Sequence, residues 1–269
     1  MKTDRFRHED IDSFLHLAAD EGWLCDRWEF GFLLGAFPDG CFVVRGADGP
    51  LAFVTAVSYG TSGWIGNLIV RSDQRGLGVG KGLMKQAIAA LQDVGTETVW
   101  LTASQAGRPI YEKLGFTAVD EVKRWAGYGS GDLVPEEGTI CFEKMVETDR
   151  AGWGDERKAL LLAVSKRGTA YESRDGFIVR QRCGNVTQLG PWGCSSIDDA
   201  AALLDRAIIG VGAGNPVVLD VPAGNVAAAG LLDSRGFTVR GGTVLMSLGR
   251  PAAYRPDNVY ALASMGSIG

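Results

Sequence analysis

Apolar and polar positions follow two periods along the 269 residues. Near the start, Ile11, Phe14, Leu15 and Ala18 fall at i, i+3, i+4 and i+7, which predicts a helix. Trp28, Phe32 and Leu33 predict a second helix before the turn Pro38-Asp39-Gly40. Two β-rich runs, Cys41 to Val44 and Leu51 to Val57, are joined by Ala47-Asp48-Gly49-Pro50, a hairpin signal. A third run, Trp64 to Val70, leads into a glycine-rich loop. After it Val79, Leu83, Met84, Ala87, Ile88 and Leu91 mark one helix face. A strand over Val99 to Thr102 and a short helix over Pro109 to Leu114, stopped by Gly115, complete the series. This alternation predicts an α/β fold with a mixed sheet.

Three glycines and a proline crowd the stretch 126–135, so a linker is expected at 128–138, between domains at 1–127 and 139–269. Beyond it, Arg157 to Val164 looks helical and Ala170 to Val186 holds short β runs. Ile197, Ala201, Leu204 and Ile208 predict a helix entered through Ser195-Ser196, with Asp198 and Asp199 in its first turn. Val217 to Val221 reads as a buried strand, followed by a helix ending at Arg235-Gly236-Phe237. At an offset of 121, Tyr111 to Phe116 falls on Leu232 to Phe237 and Ser104 on Asn225. The shared order of elements points to an internal duplication. Gly210, Gly212 and Gly214 follow a helix and read as a turn, not as a second ligand loop.

Composition narrows the chemistry. Apolar residues are 46% and charged residues 22%, which is ordinary for a globular chain and excludes disorder and coiled coil. Residues 1–127 carry 13 basic and 16 acidic side chains and the remainder 14 and 16, so the net charge of −5 divides as −3 and −2. Neither half has a basic footprint for nucleic acid. No apolar run is long enough for a membrane span, and the first ten residues do not form a secretory signal. Five cysteines without a C-x-x-C pair, and two histidines, leave almost no material for a His/Cys metal site, so none is expected. A reduced, cytoplasmic protein is expected.

The segment from Gly66 to Met84 carries the chemistry. A strand enters a loop with glycine at 76, 78, 80 and 82, and the loop enters an amphipathic helix. Free N–H groups at a helix start, with the positive end of its dipole, attract anions. Glycines let a pyrophosphate approach the backbone, and Arg75 and Lys81 add charge at the rim. A Walker loop fails because Gly80-Lys81 is followed by Gly82. G-x-G-x-x-G fails because Leu83 or Lys81 stands where the third glycine belongs. The spacing that fits is [Q/R]-x-x-G-x-[G/A], as Arg75-Gly76-Leu77-Gly78-Val79-Gly80.

With the strand end Leu68-x-Val70 and the downstream Tyr111-Glu112-Lys113-Leu114-Gly115-Phe116, residues 1–127 resemble the GNAT superfamily of acyl-CoA-dependent N-acetyltransferases. The second half resembles the degenerate second domain of tandem GNAT proteins and lacks the Arg75–Gly80 loop. The resemblance implies two mixed, mostly antiparallel sheets flanked by helices. It implies that Arg75, Gly76, Leu77, Gly78, Val79, Gly80 and Lys81 hold the pyrophosphate of acetyl-CoA. Pantetheine would pair with Leu68, Ile69 and Val70, in the gap before Val99–Thr102, with Ser104 bonding one of its amides. An N–H near Leu68 or Ile69 would stabilise the oxyanion. Tyr111 would protonate the leaving thiolate, uphill by roughly 2 kcal/mol at ordinary pKa values.

The sequence departs from the family pattern at two places. Ser104 stands where many relatives have Asn, and Gly66 stands where many have a Glu acting as general base. Asp26, Glu29 and Asp155 are the candidate replacements, with His8 and His16 less suited. Trp23, Trp28 and Trp64 fall in segments that line the acceptor cleft of the family, with core packing the alternative. Asp155 and Arg157 reach the acceptor only if the halves face each other; a solvated helix start is the plainer reading. The expected activity is acetyl transfer from acetyl-CoA to a primary amine of a small molecule or peptide. A non-catalytic CoA-binding sensor, and transfer of another acyl chain or to a hydroxyl, are the alternatives. The second domain is expected to wall the acceptor pocket or to make a homodimer contact.

Overall fold

The computed structural model describes residues 2–131, 140–251 and 253–269. The first half runs β1 (Lys2–Arg5), α1 (Ile11–Asp20), α2 (Arg27–Ala36), β2 (Phe42–Gly46), β3 (Gly49–Tyr59), β4 (Ser62–Val70), α3 (Val79–Asp93), β5 (Thr98–Ala103), α4 (Arg108–Glu112) and β6 (Thr117–Tyr128). The second runs α5 (Phe142–Trp153), α6 (Lys158–Arg167), β7 (Thr169–Glu172), β8 (Gly176–Cys183), β9 (Val186–Cys194), α7 (Ile197–Ile209), β10 (Pro216–Pro222), α8 (Val226–Asp233), β11 (Thr238–Gly249) and β12 (Val259–Ala261). Local signals explain many of the boundaries. Asp26 caps α2 by accepting from the N–H groups of Trp28 and Glu29, and Ser196 caps α7 through Asp199.

The two expected sheets are joined into one. Strand order is β1-β2-β3-β4-β5-β11-β6-β10-β9-β8-β7, with β12 paired to β9. Each half gives its last long strand to the other. β11 pairs with β5, Met246 opposite Leu101, while β6 pairs with β10, Trp125 opposite Leu219. The sheet therefore has no break at residue 127. One core cluster also crosses the divide, joining Phe14 and Phe30 to Met145, Leu161 and Phe177. On the opposite face of the first half, Leu83, Met84 and Leu91 of α3 pack on Val54, Ile65 and Leu101.

One expectation needs correction, and two elements carry no signal in the sequence. Ala126 to Tyr128, assigned to the linker stretch, end the central strand β6, and Gly127 is required because the Phe237 ring lies 2.7 Å from where a Cβ would stand. Residues 132–138 of the expected linker lie outside the described residues. Helix α5 does not show in the apolar spacing, because Asp149 and Gly152 interrupt its buried face. Asp149 is there to make a buried bidentate pair with Arg157, at 2.9 and 2.6 Å. Strand β9 was hidden by Gly190-Pro191, which reads as a turn but sits at a register shift between β8 and β9.

A buried carboxylate fastens the seam between the halves. Asp220 on β10 is fully buried and accepts two hydrogen bonds from Arg124 on β6, at 2.7 and 2.8 Å. Gln188 Nε2 and the N–H of Met265 also donate to it, at 3.2 and 3.0 Å. Removing that charge would leave a largely buried guanidinium without its partner. Asp220→Asn is expected to cost about 3 kcal/mol or more in urea unfolding. Asp39→Ala, which breaks a largely exposed pair with Arg5, is expected to cost less than about 1 kcal/mol.

Candidate active site

Strands β4 and β5 run parallel and pair only over Ser62–Trp64 and Thr98–Trp100, after which they diverge. A register shift between β3 and β4 accompanies the divergence, and Asn67 sits beside it with φ of +54°. Asn67 Nδ2 donates to Thr55 Oγ1 at 3.0 Å, which holds the bend. The gap opens into a cavity of about 270 Å³. Gly66, Asn67 and Leu68 line one wall, and Thr102, Ser104 and Tyr111 another. The α1–α2 loop adds Trp23, Leu24 and Cys25, and residues 264–267 at the far end of the chain close the remaining side.

The glycine loop lies beyond the end of β4. Gly76 and Gly78 have φ of +80° and +81°, and Gly78 is the N-cap of α3 with no side chain capping the helix. A Cβ at Gly76, Gly78 or Gly82 would meet nothing within 4 Å, and one at Gly80 only ordinary contact with Val70 at 3.4 Å. Apart from the left-handed backbone at 76 and 78, no neighbouring atom demands glycine, so the surface above the loop is open. Leu77 is 65% exposed and Lys81 is exposed, whereas Val79 packs partly against the α3 core. Arg75 is already engaged, donating to the Val70 carbonyl at 2.9 Å and pairing with Glu21. Its guanidinium ties the loop to α1.

Among the other expected residues, Leu68 and Val70 turn their side chains into the α3 cluster and Ile69 into the cluster on the opposite face. Ser104 Oγ accepts from the Gly107 N–H at 3.1 Å and so shapes the turn into α4. Tyr111 lines the cavity, and burial pushes its phenol up to about 12. Trp23 is 41% exposed at the cavity, while Trp64 is core and Trp28 stacks on Phe32 and under the Arg167 guanidinium.

Gly66 proves to be a site of close approach. A Cβ there would collide with the Gly266 carbonyl and stand 2.8 Å from Ser267 Cα. The Asn67 N–H donates to that same carbonyl at 3.2 Å. Of the candidate bases, Asp155 accepts from the Ser62 and Glu156 N–H groups at 2.6 and 2.8 Å and lies outside the cavity. Asp26 is occupied by its helix cap and by Arg167. His8 and His16 are exposed on the first helical segment. Arg157 is buried against Asp149, so neither the acceptor role nor the solvated helix start describes it. Glu29 remains. It is 5% exposed, and its Oε2 has no hydrogen-bond partner among the described residues. Burial, then the charge of Asp26, raise its carboxyl to about 7, opposed by the nearby Ser267 and Ser264 hydroxyls and by Arg167.

Residues 4–116 match the acetyltransferase (GNAT) family, and residues 145–261 match the acetyltransferase (GNAT) domain. The chain belongs to the GNAT family in both halves. It is 22% identical to the uncharacterized N-acetyltransferase YitH of Bacillus subtilis, over 97% of this chain and 96% of that one. A Pyrococcus horikoshii protein assigned to the acetyltransferases shares its fold with a TM-score of 0.86 at 20% identity, covering 100% of this chain and 95% of that one. A GCN5-related N-acetyltransferase of Sphaerobacter thermophilus does so with 0.67 at 17%, covering 95% and 98%. Acetyl transfer is the chemistry of this class.

The two GNAT halves differ at the cleft. In the second, β9 and β10 pair only at Thr187–Gln188 and Val217–Val218, and β12 then pairs with β9 while the Leu262 N–H donates to the Asp220 carbonyl at 2.8 Å. The chain's own C-terminal strand thus fills that gap. Asn225, at the position matching Ser104, spends its amide on the carbonyls of Pro256, Asp257 and Val259, holding the segment in place. Among the described residues no helix is long and apolar enough to cross a membrane, and no group of three or more metal-ligating side chains gathers.

The raised carboxyl of Glu29 has a consequence for stability. A folded-state value of about 7 against an ordinary 4.5 costs nothing below pH 4.5, a growing amount up to pH 7, and a constant amount above it. Relative to the parent, Glu29→Gln is expected to gain about 3 kcal/mol between pH 4.5 and pH 7.5, measured by denaturant unfolding across that range.

Proposed function

We propose that the first GNAT half binds acetyl-CoA and transfers its acetyl group directly to a primary amine. The observations that support this reading are an uncapped, glycine-lined helix start that follows β4, and the opening of β4 away from β5 onto a cavity lined by Leu68 and Tyr111. The backbone N–H groups from Arg75 to Lys81 hold the pyrophosphate. The pantetheine arm runs along Leu68 to Val70 and past Ser104, which brings the thioester into the cavity.

The amine nitrogen attacks the thioester carbonyl, and a strand-edge N–H near Leu68 or Ile69 donates a hydrogen bond to the developing oxyanion. Collapse of the tetrahedral species breaks the C–S bond and leaves a thiolate, to which Tyr111 gives its proton. Held at about 12, the phenol stays protonated across the working range. Against an ordinary thiol near 8.5 the transfer is uphill by about 5 kcal/mol, but a thiolate left in the same apolar cavity is raised too, which narrows the gap. The second half contributes residues 264–267 and Thr243 to the acceptor wall.

An aspartate at the second position of a helix favours the helix dipole, so Gly80→Asp is expected to fold normally while setting a carboxylate against the pyrophosphate. Calorimetry should show one acetyl-CoA site per parent chain and affinity weakened at least about tenfold in the variant. Absence of binding by the parent refutes the proposal. Tyr111→Phe is expected to slow amine-dependent thioester loss by about 100-fold while acetyl-CoA affinity stays within about twofold. A sensor without turnover would bind acetyl-CoA and consume none with any amine.

A further inference from the structure

The space that a glutamate at position 66 would fill is taken by the chain's own end. The Gly266 carbonyl and Ser267 Cα press on Gly66, and the segment is pinned there. Its Met265 N–H donates to Asp220 at 3.0 Å, and the Thr102 hydroxyl donates to the Met265 carbonyl. Immediately behind this segment stands Glu29 of α2, beside the Ser264 and Ser267 hydroxyls, which bond each other at 3.0 Å. Both serines line the main cavity. Ser264 also lines a second cavity of about 20 Å³, whose wall includes Glu29 and whose volume suits about one water. The two cavities share Leu24, Arg124 and Ser264.

We infer that Glu29 is the terminal proton acceptor for the acceptor amine, reached through the Ser264–Ser267 hydroxyl pair that the second half inserts at Gly66. This rests on the acetyl-transfer reading above. As the N–C bond forms, the nitrogen's proton passes to a serine hydroxyl, whose own proton passes to Glu29 Oε2 through a water in the small cavity. The C–S bond then breaks and the thiolate takes its proton from Tyr111; exchange with solvent restores the Tyr111 phenol and the Glu29 carboxylate, so the net transfer is one proton from nitrogen to sulfur.

An unpartnered buried carboxylate oxygen has a place to receive that proton, and a carboxyl near 7 is about half ionised at neutral pH. The charged and titratable groups facing Glu29 are Asp26 and Cys25 beside it, Arg167 from α6, Arg124 from β6 and Cys183 from β8. Arg124 is neutralised by Asp220 and Arg167 by Asp26, which leaves Glu29 as the group free to titrate toward the serines.

The test is the pH dependence of kcat/KM for acetyl-CoA thioester loss with spermidine, kanamycin and a lysine peptide. The parent is expected to show a rise with an apparent pKa near 7, separate from the rise near 10 set by the amine itself. Glu29→Gln should lose the rise near 7 and fall by about 100-fold at pH 7.5, with acetyl-CoA affinity within about twofold as the check on folding. Glu29→Asp should keep that rise at reduced rate. The pair Ser264→Ala with Ser267→Ala, which leaves the carboxylate in place, should lower the rate about tenfold or more. Turnover by the parent with an unchanged profile in Glu29→Gln, or full rate in the serine pair, overturns this inference alone. A parent that binds acetyl-CoA but turns over none of the three amines overturns the acetyl-transfer reading as well.

Discussion

A carboxylate removed from water must be fully paired, and Asp220 meets that demand by drawing three parts of the chain to one point. Arg124 comes from the last strand of the first half, Gln188 from β9, and the Met265 N–H from the C-terminal segment. The cavity is built around the same point. Arg124 lines both cavities, and the residue after Met265 presses its carbonyl on Gly66. Loss of this anchor would unseat the tail and the strand seam together.

The exchange of last strands makes the halves inseparable in a way that duplication alone would not. A tandem array joined by a linker keeps two cores. Here β5 finds its neighbour in β11 and β10 finds its neighbour in β6, so neither sheet is complete without the other half. The buried cluster that joins α1 and α2 to α5 and α6 follows from this continuity. It sets α2 against the second half, with Asp26 reaching Arg167, and that is how Glu29 comes to lie beside Ser264 and Ser267.

The two clefts show one geometry used in two ways. In both, a parallel strand pair opens after two or three residues and leaves backbone groups in need of partners. In the second half the chain supplies them itself, through β12 and the Asn225 amide. In the first, the C-terminal segment bridges the two strands through Asn67 of β4 and Thr102 of β5, and leaves a cavity between itself and Tyr111. Gly66 is the residue that permits this approach, so its departure from the family pattern is a packing requirement.

Local information was enough for much of this. The helical spacing from Ile11, the hairpin, the loop into α3 and the Tyr111 to Phe116 turn are each written within about twenty residues, and the loop's chemistry follows from glycine placement at a helix start. The duplication was legible for the same reason. What the sequence left open were features whose partners lie far along the chain. Helix α5 hid because Asp149 is balanced by Arg157, and β9 because Gly190-Pro191 resembles a turn until its neighbours are known. A continuous sheet, the occupant of the second cleft, and the choice among Asp26, Glu29 and Asp155 all depend on contacts between residues far apart along the chain. Burial and pairing are properties of assembled neighbours, so only the tertiary structure decided which carboxylate caps a helix, which is tied to a turn, and which keeps one buried oxygen unpartnered behind the cavity.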